Sequence, residues 1–252
     1  MCLLLSNPER VQAVFFDLGH TLLRFNGEFD AVVERSYHVL AEALVHAGHP
    51  LDPATFAERF NQVIGEYYQS REIDLIERPI EDFIKSVTGE FGYSDLPIEV
   101  TRSAMSVMYA YSESHWQLDS EAPAVLQQLR KRGMKLGIIT NAANAANANR
   151  LIDRNGLREH FESILISAEE RIRKPDPCIY ARALESVQLP ASSALMVGDS
   201  LVADIAGAQN AGLRAVWVDR GFQTARVQPK RNPITPDATI RSLAELPGLL
   251  NS

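Results

Sequence analysis

Cysteine is scarce in this chain: Cys2 and Cys178 are the two that occur in 252 residues. Two such distant cysteines exclude a disulfide framework or a cysteine-built metal knuckle and point to a reducing compartment. Long apolar runs are missing as well. No stretch approaches the ~20 residues that cross a bilayer, and Met1-Cys2-Leu3-Leu4-Leu5 is too short for a secretion signal before Asn7-Pro8-Glu9-Arg10 ends it. The expectation is a cytoplasmic protein without a membrane partner. Positive charge is in deficit too, 25 Lys and Arg against 32 Asp and Glu, for a net charge of −7. Pairs such as Lys131-Arg132 and Lys230-Arg231 stand isolated, so nucleic acid, held by clustered basic residues, is not the expected partner. There is no internal repeat, and the Ala- and Asn-biased segment 142–149 is too short to signal low complexity.

What remains is an ordinary globular composition, 46% hydrophobic and 23% charged. The length suits one large domain or a core with a smaller partner. One short run organises the chain: Val14, Phe15 and Phe16 read as a buried strand, and Asp17 stands where it stops. A carboxylate at that place is costly unless it faces a cleft, a metal or a partner. Gly19 and Thr21 mark a tight turn beside it. Taken alone, Asp17 fits a helix cap equally well.

From about Leu23 to Trp116 there is no convincing strand pattern. Phe29, Val32, Val33, Tyr37, Leu40 and Leu44 recur at helical spacing, closed by Gly48-His49-Pro50. Further helices are marked by Phe56 to Tyr67 with Asp52 or Thr55 at the start, by Ile80 to Val87, and by Val100 to Tyr111. From Leu118 onward helices and strands alternate, as in a parallel sheet. Strands are expected at Met134–Ile139, Ser163–Ile166, Ala194–Val197 and Leu213–Val218, with a small edge strand at Ala238–Ile240. Helices are expected between them, including Glu121–Arg132 stopped by Gly133 and one from about Val202 to Asn210. The fold class predicted is α/β, a Rossmann-like parallel sheet with helices on both faces and an inserted all-helical domain.

Four polar residues then fall at or just beyond the ends of different apolar runs: Asp17, Thr140, Lys174 and Asp199. In an open parallel sheet those ends share one edge, outside which ligands bind. Asp17 and Asp199 suit a hard cation such as Mg²⁺, which prefers oxygen ligands. Asp204 is placed to reinforce them directly or through water. Thr140 and Lys174 supply a neutral donor and a positive charge for the oxygens of a phosphoryl group. A carboxylate nucleophile that becomes an aspartyl-phosphate divides a hard hydrolysis into two steps.

The segments Phe16-Asp17-Leu18-Gly19-His20-Thr21-Leu22, Ile138-Ile139-Thr140-Asn141, Arg173-Lys174-Pro175-Asp176 and Val197-Gly198-Asp199-Ser200 through Asp204 resemble, in order, the four motifs of the haloacid dehalogenase-like hydrolase superfamily. The resemblance covers residues 1–22 and 117–252 as the catalytic core; residues 23–116 match its inserted helical cap in position and length. It implies a Mg²⁺-dependent phosphatase acting on a small phosphorylated metabolite. Asp17 takes the nucleophile role and a metal bond, and Gly19 offers the metal its backbone carbonyl. Thr140 with Asn141 binds phosphoryl oxygens, Lys174 fixes nucleophile and phosphate, and Asp199 and Asp204 complete the metal site.

One departure stands out. Phosphatases of this superfamily usually carry a second aspartate two residues after the nucleophile, as general acid and base, followed by glycine. Here those positions are Gly19 and His20. Three readings follow: a phosphatase with His20, at the substrate, or a cap residue in the missing role, or with substrates whose leaving groups need little protonation; a metal-independent 2-haloacid dehalogenase, a branch that also lacks the second aspartate; or a catalytically weak member that binds a phosphorylated ligand or a protein. Arg24, Arg71, Arg78, Tyr67 and Tyr68 are candidate substrate contacts in the cap. The oligomeric state has no signature in the sequence.

Overall fold

The computed structural model describes residues 11–221 and 233–250. The segment Met1–Leu5 with Cys2 and the pair Lys230-Arg231 lie outside the described residues. Two compact units divide the chain.

The first unit takes residues 11–24, 118–142, 152–221 and 233–250 of the described chain. Its centre is a six-stranded, all-parallel sheet. In chain order the eight strands among the described residues are β1 (Ala13–Phe16), β2 (Leu23–Phe25), β3 (Trp116–Leu118), β4 (Lys135–Thr140), β5 (Ser163–Ile166), β6 (Ala194–Gly198), β7 (Arg214–Val218) and β8 (Ala238–Ile240). The sheet order is β5-β4-β1-β6-β7-β8. The chain builds outward from β1 through β4 to β5, then returns to the other side of β1 and builds through β6 to β8. The order therefore reverses about β1, the kind of switch point where α/β proteins open a crevice. All four residues of β1 and all five of β6 are buried. That is what strands covered on both faces require, and why they read as continuous apolar runs. Ala13, Phe15, Ile139, Met196 and Ala215 from the strands pack with Ile179, Tyr180 and Ala183 of the helix Pro177–Val187. Gly137 of β4 admits the Phe15 ring, which a Cβ there would approach to 2.6 Å. Gly133, φ +78°, stops the helix Ala122–Lys131 as its spacing predicted.

The second unit is helical and holds residues 25–117 and 143–151. Its first four helices are α1 (Phe29–His46), α2 (Pro53–Asp74), α3 (Ile80–Glu90) and α4 (Ile98–Glu113). Asp52 caps α2, accepting from Thr55 N–H at 2.9 Å, with Pro53 in the first turn. Tyr37, Leu40 and Leu44 of α1 bury against Phe56, Phe60 and Ile64 of α2, Ile84 and Val87 of α3, and Met105 and Met108 of α4. Segment 143–151 is tied to α4 by Asn144, whose Nδ2 donates to Met105 Sδ at 3.6 Å, and by Glu113. Glu113 Oε1 accepts from Asn147 Nδ2 at 2.7 Å and from Arg150 Nε and Nη2 at 2.8 and 2.6 Å. Acid at a helix C-terminus opposes the helix dipole, and the Arg150 charge offsets it.

Two expectations need correction. The stretch from Leu23 to Trp116 is not free of strands: β2 and β3 pair where the chain passes between the units. Three residues each are too few to show a period. The helix expected from Val202 is not one α-helix. Leu201–Ala206 is a π-helical turn, with Ile205 N–H reaching Ser200 C=O five residues back at 3.2 Å, before an α-helical turn at Gly207–Asn210.

Candidate active site

The parallel register brings the site together. Phe16 lies level with Ile138 of β4 and Val197 of β6, so Asp17, Thr140 and Asp199 all fall within two residues of one line across the sheet's C-terminal edge. Asp17 N–H extends the ladder by a bond to Val197 C=O at 2.9 Å. Beyond it Leu22 and Leu23 N–H both return to Leu18 C=O, at 3.0 and 2.8 Å, closing a tight turn over residues 18–23.

Lys174 is the centre of charge. Its side chain is 2% exposed, and Nζ donates to Asp17 Oδ1 at 2.8 Å and to Asp204 Oδ1 at 2.6 Å. Burial alone would lower its pKa, but the Asp17 and Asp204 carboxylates overcome that and raise it. Lys174 is therefore a fixed cation. The same burial, with Asp17 near, pushes the Asp204 carboxyl up to about 6 against the opposing pull of Lys174. Asp204 Oδ2 also accepts Ser200 N–H at 2.9 Å. The π-helical turn accommodates the five-residue step from Asp199 and carries Asp204 under the strand end. Gly198 makes room for it: a Cβ there would stand 2.3 Å from Asp204 Cγ and Oδ2.

Carboxylate oxygens of Asp17, Asp199 and Asp204 lie within 4.8 Å of one another. Three carboxylates against one ammonium leave two negative charges, the deficit a divalent cation neutralises, and all the donors are hard oxygen. The residues therefore fit Mg²⁺. Because both Asp204 oxygens already hold protein donors, Asp17 and Asp199 are the better direct ligands. Asp199 C=O is itself anchored by Trp217 Nε1 at 2.8 Å.

Thr140 ends β4 and is 4% exposed. Asn141 is committed to Lys174: its Nδ2 donates to Lys174 C=O at 2.9 Å and its Oδ1 accepts Lys174 N–H at 2.8 Å. That leaves its main chain, rather than its amide, for a ligand. The peptide following Lys174 is cis. Sequence reasoning missed Ser167. This fully buried residue just past β5 accepts Ala142 N–H at 2.9 Å and donates to Ala142 C=O at 3.2 Å, pinning the loop after Thr140. A polar residue ending an apolar run was the available signal, the same one that marked Asp17.

Gly19 and His20 exchange their expected demands. Among the described residues, the glycines with positive φ do not include Gly19, so its backbone does not require glycine. His20 has φ +57°, the left-handed region where histidine is among the few tolerated side chains. Of the candidate cap contacts, Tyr67 OH donates to the buried Glu77 at 2.7 Å and Arg71 reaches it at 3.2 Å, its guanidinium 3.8 Å from the Tyr68 ring centroid. Arg24 belongs to the α/β unit and pairs with Asp119 at 2.6 Å.

Residues 11–212 match the family model described as haloacid dehalogenase-like hydrolase. The chain is 30% identical over 216 residues to the glyceraldehyde 3-phosphate phosphatase of Pyrococcus abyssi, covering 84% of this chain and 82% of that one. It is 38% identical over 131 residues to the phosphoserine phosphatase of Thermus thermophilus, a match to 52% of this chain and half the length of that relative. Among solved structures it is similar to a 2-haloacid dehalogenase from Pseudomonas syringae, with a TM-score of 0.69 and 27% identity over 95% of this chain and 98% of that one. With the family model spanning most of its length and this site at the sheet edge, the chain belongs to the haloacid dehalogenase-like hydrolases.

Proposed function

We propose that the protein is a Mg²⁺-dependent phosphatase acting on a small phosphorylated metabolite through an aspartyl-phosphate on Asp17. The observation that carries this reading is the cluster of Asp17, Asp199 and Asp204 about the buried Lys174, whose residual charge calls for a divalent cation. A dehalogenase has no need of that charge balance. The two phosphatases similar to the chain support the same reading.

An Asp17 oxygen attacks phosphorus, the bond to the leaving oxygen breaks, and the leaving group departs as an anion that takes its proton from solvent. Water then attacks the acyl phosphate, releasing inorganic phosphate and restoring the carboxylate. Lys174 holds Asp17 in line and offsets charge on the transferred group, while Thr140 and the Asn141 main chain bind its equatorial oxygens. Asp17, Asp199 and the Gly19 carbonyl would hold Mg²⁺, supported by Asp204. When bound, the cation supplies further positive charge against the phosphoryl oxygens. His20 borders the substrate, and the helical unit takes the place in the chain that the family gives its cap. The two cysteines and the absence of any helix among the described residues long and apolar enough to cross a membrane support a cytoplasmic setting.

With glycine at position 19, no carboxylate protonates the leaving group there, a service worth about 10²–10⁴-fold. Aryl and acyl phosphates, whose leaving groups need no proton, should outrun alkyl phosphates. The same feature and the likeness to a 2-haloacid dehalogenase favour a second reading, attack by Asp17 on a carbon bearing halide. One assay separates them, with an aryl phosphate and a 2-haloacid side by side, each with Mg²⁺ and with EDTA. Phosphate release abolished by EDTA supports the proposal. Halide release indifferent to EDTA establishes the second reading instead, and neither product leaves a binding role.

A further inference from the structure

No sequence motif marks Arg220, which follows β7, yet its side chain is 4% exposed and reaches across the sheet edge. Its Nη2 donates to Thr21 C=O at 3.0 Å, 199 positions away, and lies 2.8 Å from Asp119 Oδ2. Asp119 follows the return strand β3 and has no exposed side-chain surface. Its Oδ2 also accepts from Arg24 Nε at 2.6 Å, its Oδ1 accepts Glu121 N–H at 2.9 Å, and its own N–H donates to Leu22 C=O at 2.9 Å. The consecutive carbonyls of Thr21 and Leu22 are thus each captured by one member of a buried Arg220–Asp119 pair. They belong to the end of the turn that begins at Asp17.

The pair is an expensive way to fill space. Among the described residues, Arg220 Nε and Nη1 and the Thr21 hydroxyl are buried and find no hydrogen-bond partner. Each unmet group of this kind detracts from stability, and a buried ion pair is often replaceable by well-packed apolar residues. What an apolar residue cannot do is hold two acceptors from separate segments at fixed distance, which a planar guanidinium does.

We propose that Arg220 is a positioning residue of the nucleophile turn, clamping Thr21 and Asp119 together so that Asp17 and the Gly19 carbonyl keep their working geometry. The link to turnover rests on the phosphatase reading above; the link to turn geometry does not. Arg220→Met keeps the length of the side chain and removes its donors. Hydrogen exchange of the full-length protein then reads the turn directly, through the Leu22 and Leu23 amides bonded to Leu18 C=O. In the variant these amides should exchange faster while those of β4 and β6 keep their protection. With an aryl phosphate and Mg²⁺, kcat should fall about ten- to a hundred-fold with KM little changed, the cost of a misplaced reacting group rather than of lost binding. Leu22 and Leu23 exchanging at wild-type rates overturn the proposal whatever the activity. Should Arg220→Met loosen β4 and β6 as well, Asp119→Asn, which preserves shape, takes its place: selective loss at Leu22 and Leu23 supports the clamp, and uniform loss or none refutes it. A wild type that releases no phosphate defeats the phosphatase reading alone, since the exchange result still decides the clamp.

Discussion

Lys174→Met tests the charge balance of the site through stability. Methionine keeps the bulk of the stem but leaves Asp17 Oδ1 and Asp204 Oδ1 without the ammonium that now lies 2.8 and 2.6 Å away. Removing one partner of a buried ion pair costs about 3–5 kcal/mol, because the charge left behind is uncompensated. The cost is not constant with pH. Asp204 already sits with its carboxyl pushed up to about 6 from 3.8, by burial first and by Asp17 next. A folded-state pKa above the unfolded value means that folding favours the protonated form, so the group's ionisation costs stability as pH rises from the unfolded pKa through the folded one. Without Lys174 that pKa moves higher still, and the deficit of the variant extends further toward alkaline pH. In EDTA at pH 8 the variant should therefore melt roughly 6–20 °C below wild type, at about 2–4 °C per kcal/mol for a chain of this size. At pH 5 the difference should shrink, because Asp204 is then protonated in the variant while Asp17 alone lacks its counter-ion. Added Mg²⁺ should recover part of the loss at pH 8 by restoring positive charge. Thermal unfolding by circular dichroism at both pH values decides it. Equal midpoints at pH 8, or a deficit that does not shrink at pH 5, would refute the account of Lys174 as counter-ion to two carboxylates.

Asp199→Ala should weaken Mg²⁺ binding by at least about ten-fold in isothermal titration, since outer-shell partners alone cost that much; an unchanged isotherm moves the ligand elsewhere. Gly198→Ala drives a methyl into the Asp204 carboxylate, and should cost about 1–3 kcal/mol of stability and most of the activity, read by urea denaturation and phosphate release on one preparation. Asp119→Asn should cost about 2 kcal/mol near neutral pH, in line with hydrogen bonds to a charged group. Burial opposes the Asp119 carboxylate, but Glu121 N–H, Arg24 and Arg220 hold its pKa below 3.8. The stabilisation is therefore full above the unfolded pKa and is lost as pH falls through the folded one. The gap between wild type and variant should close below about pH 4, and a gap that persists in stronger acid would contradict the assignment.

The parts of the site written in consecutive residues are legible in the sequence. Val14 to Phe16 followed by Asp17, and Ala194 to Val197 followed by Gly198-Asp199, put apolar burial next to a polar end, and a parallel sheet leaves few other places for such ends to go. The helices of the second unit were legible for a similar reason, since a face that must be buried repeats at 3.6 residues. What stayed hidden depends on contacts distant in sequence or on pieces too short for a period. Nothing near Arg220 announces that it reaches Thr21. The i→i+5 turn at Leu201–Ala206 looks apolar and helical like any other first turn. Segment 143–151 is tied to the helical unit by Asn144, Asn147 and Arg150 reaching Met105 and Glu113, contacts that no pattern around it announces. Position 20 is the instructive intermediate case: its departure from glycine was visible, but the positive φ that makes glycine usual there was not.

The central claim is that Asp17 becomes covalently phosphorylated. Rapid acid quench of the enzyme with a labelled aryl phosphate and Mg²⁺, followed by peptide mapping, tests it most directly. The account predicts an acid-stable, hydroxylamine-sensitive adduct on the peptide containing Asp17, formed as a burst because no carboxylate at position 19 activates the water for its hydrolysis, and absent from Asp17→Asn and from samples in EDTA. Steady phosphate release with no label on that peptide, or an adduct that survives Asp17→Asn, would contradict it.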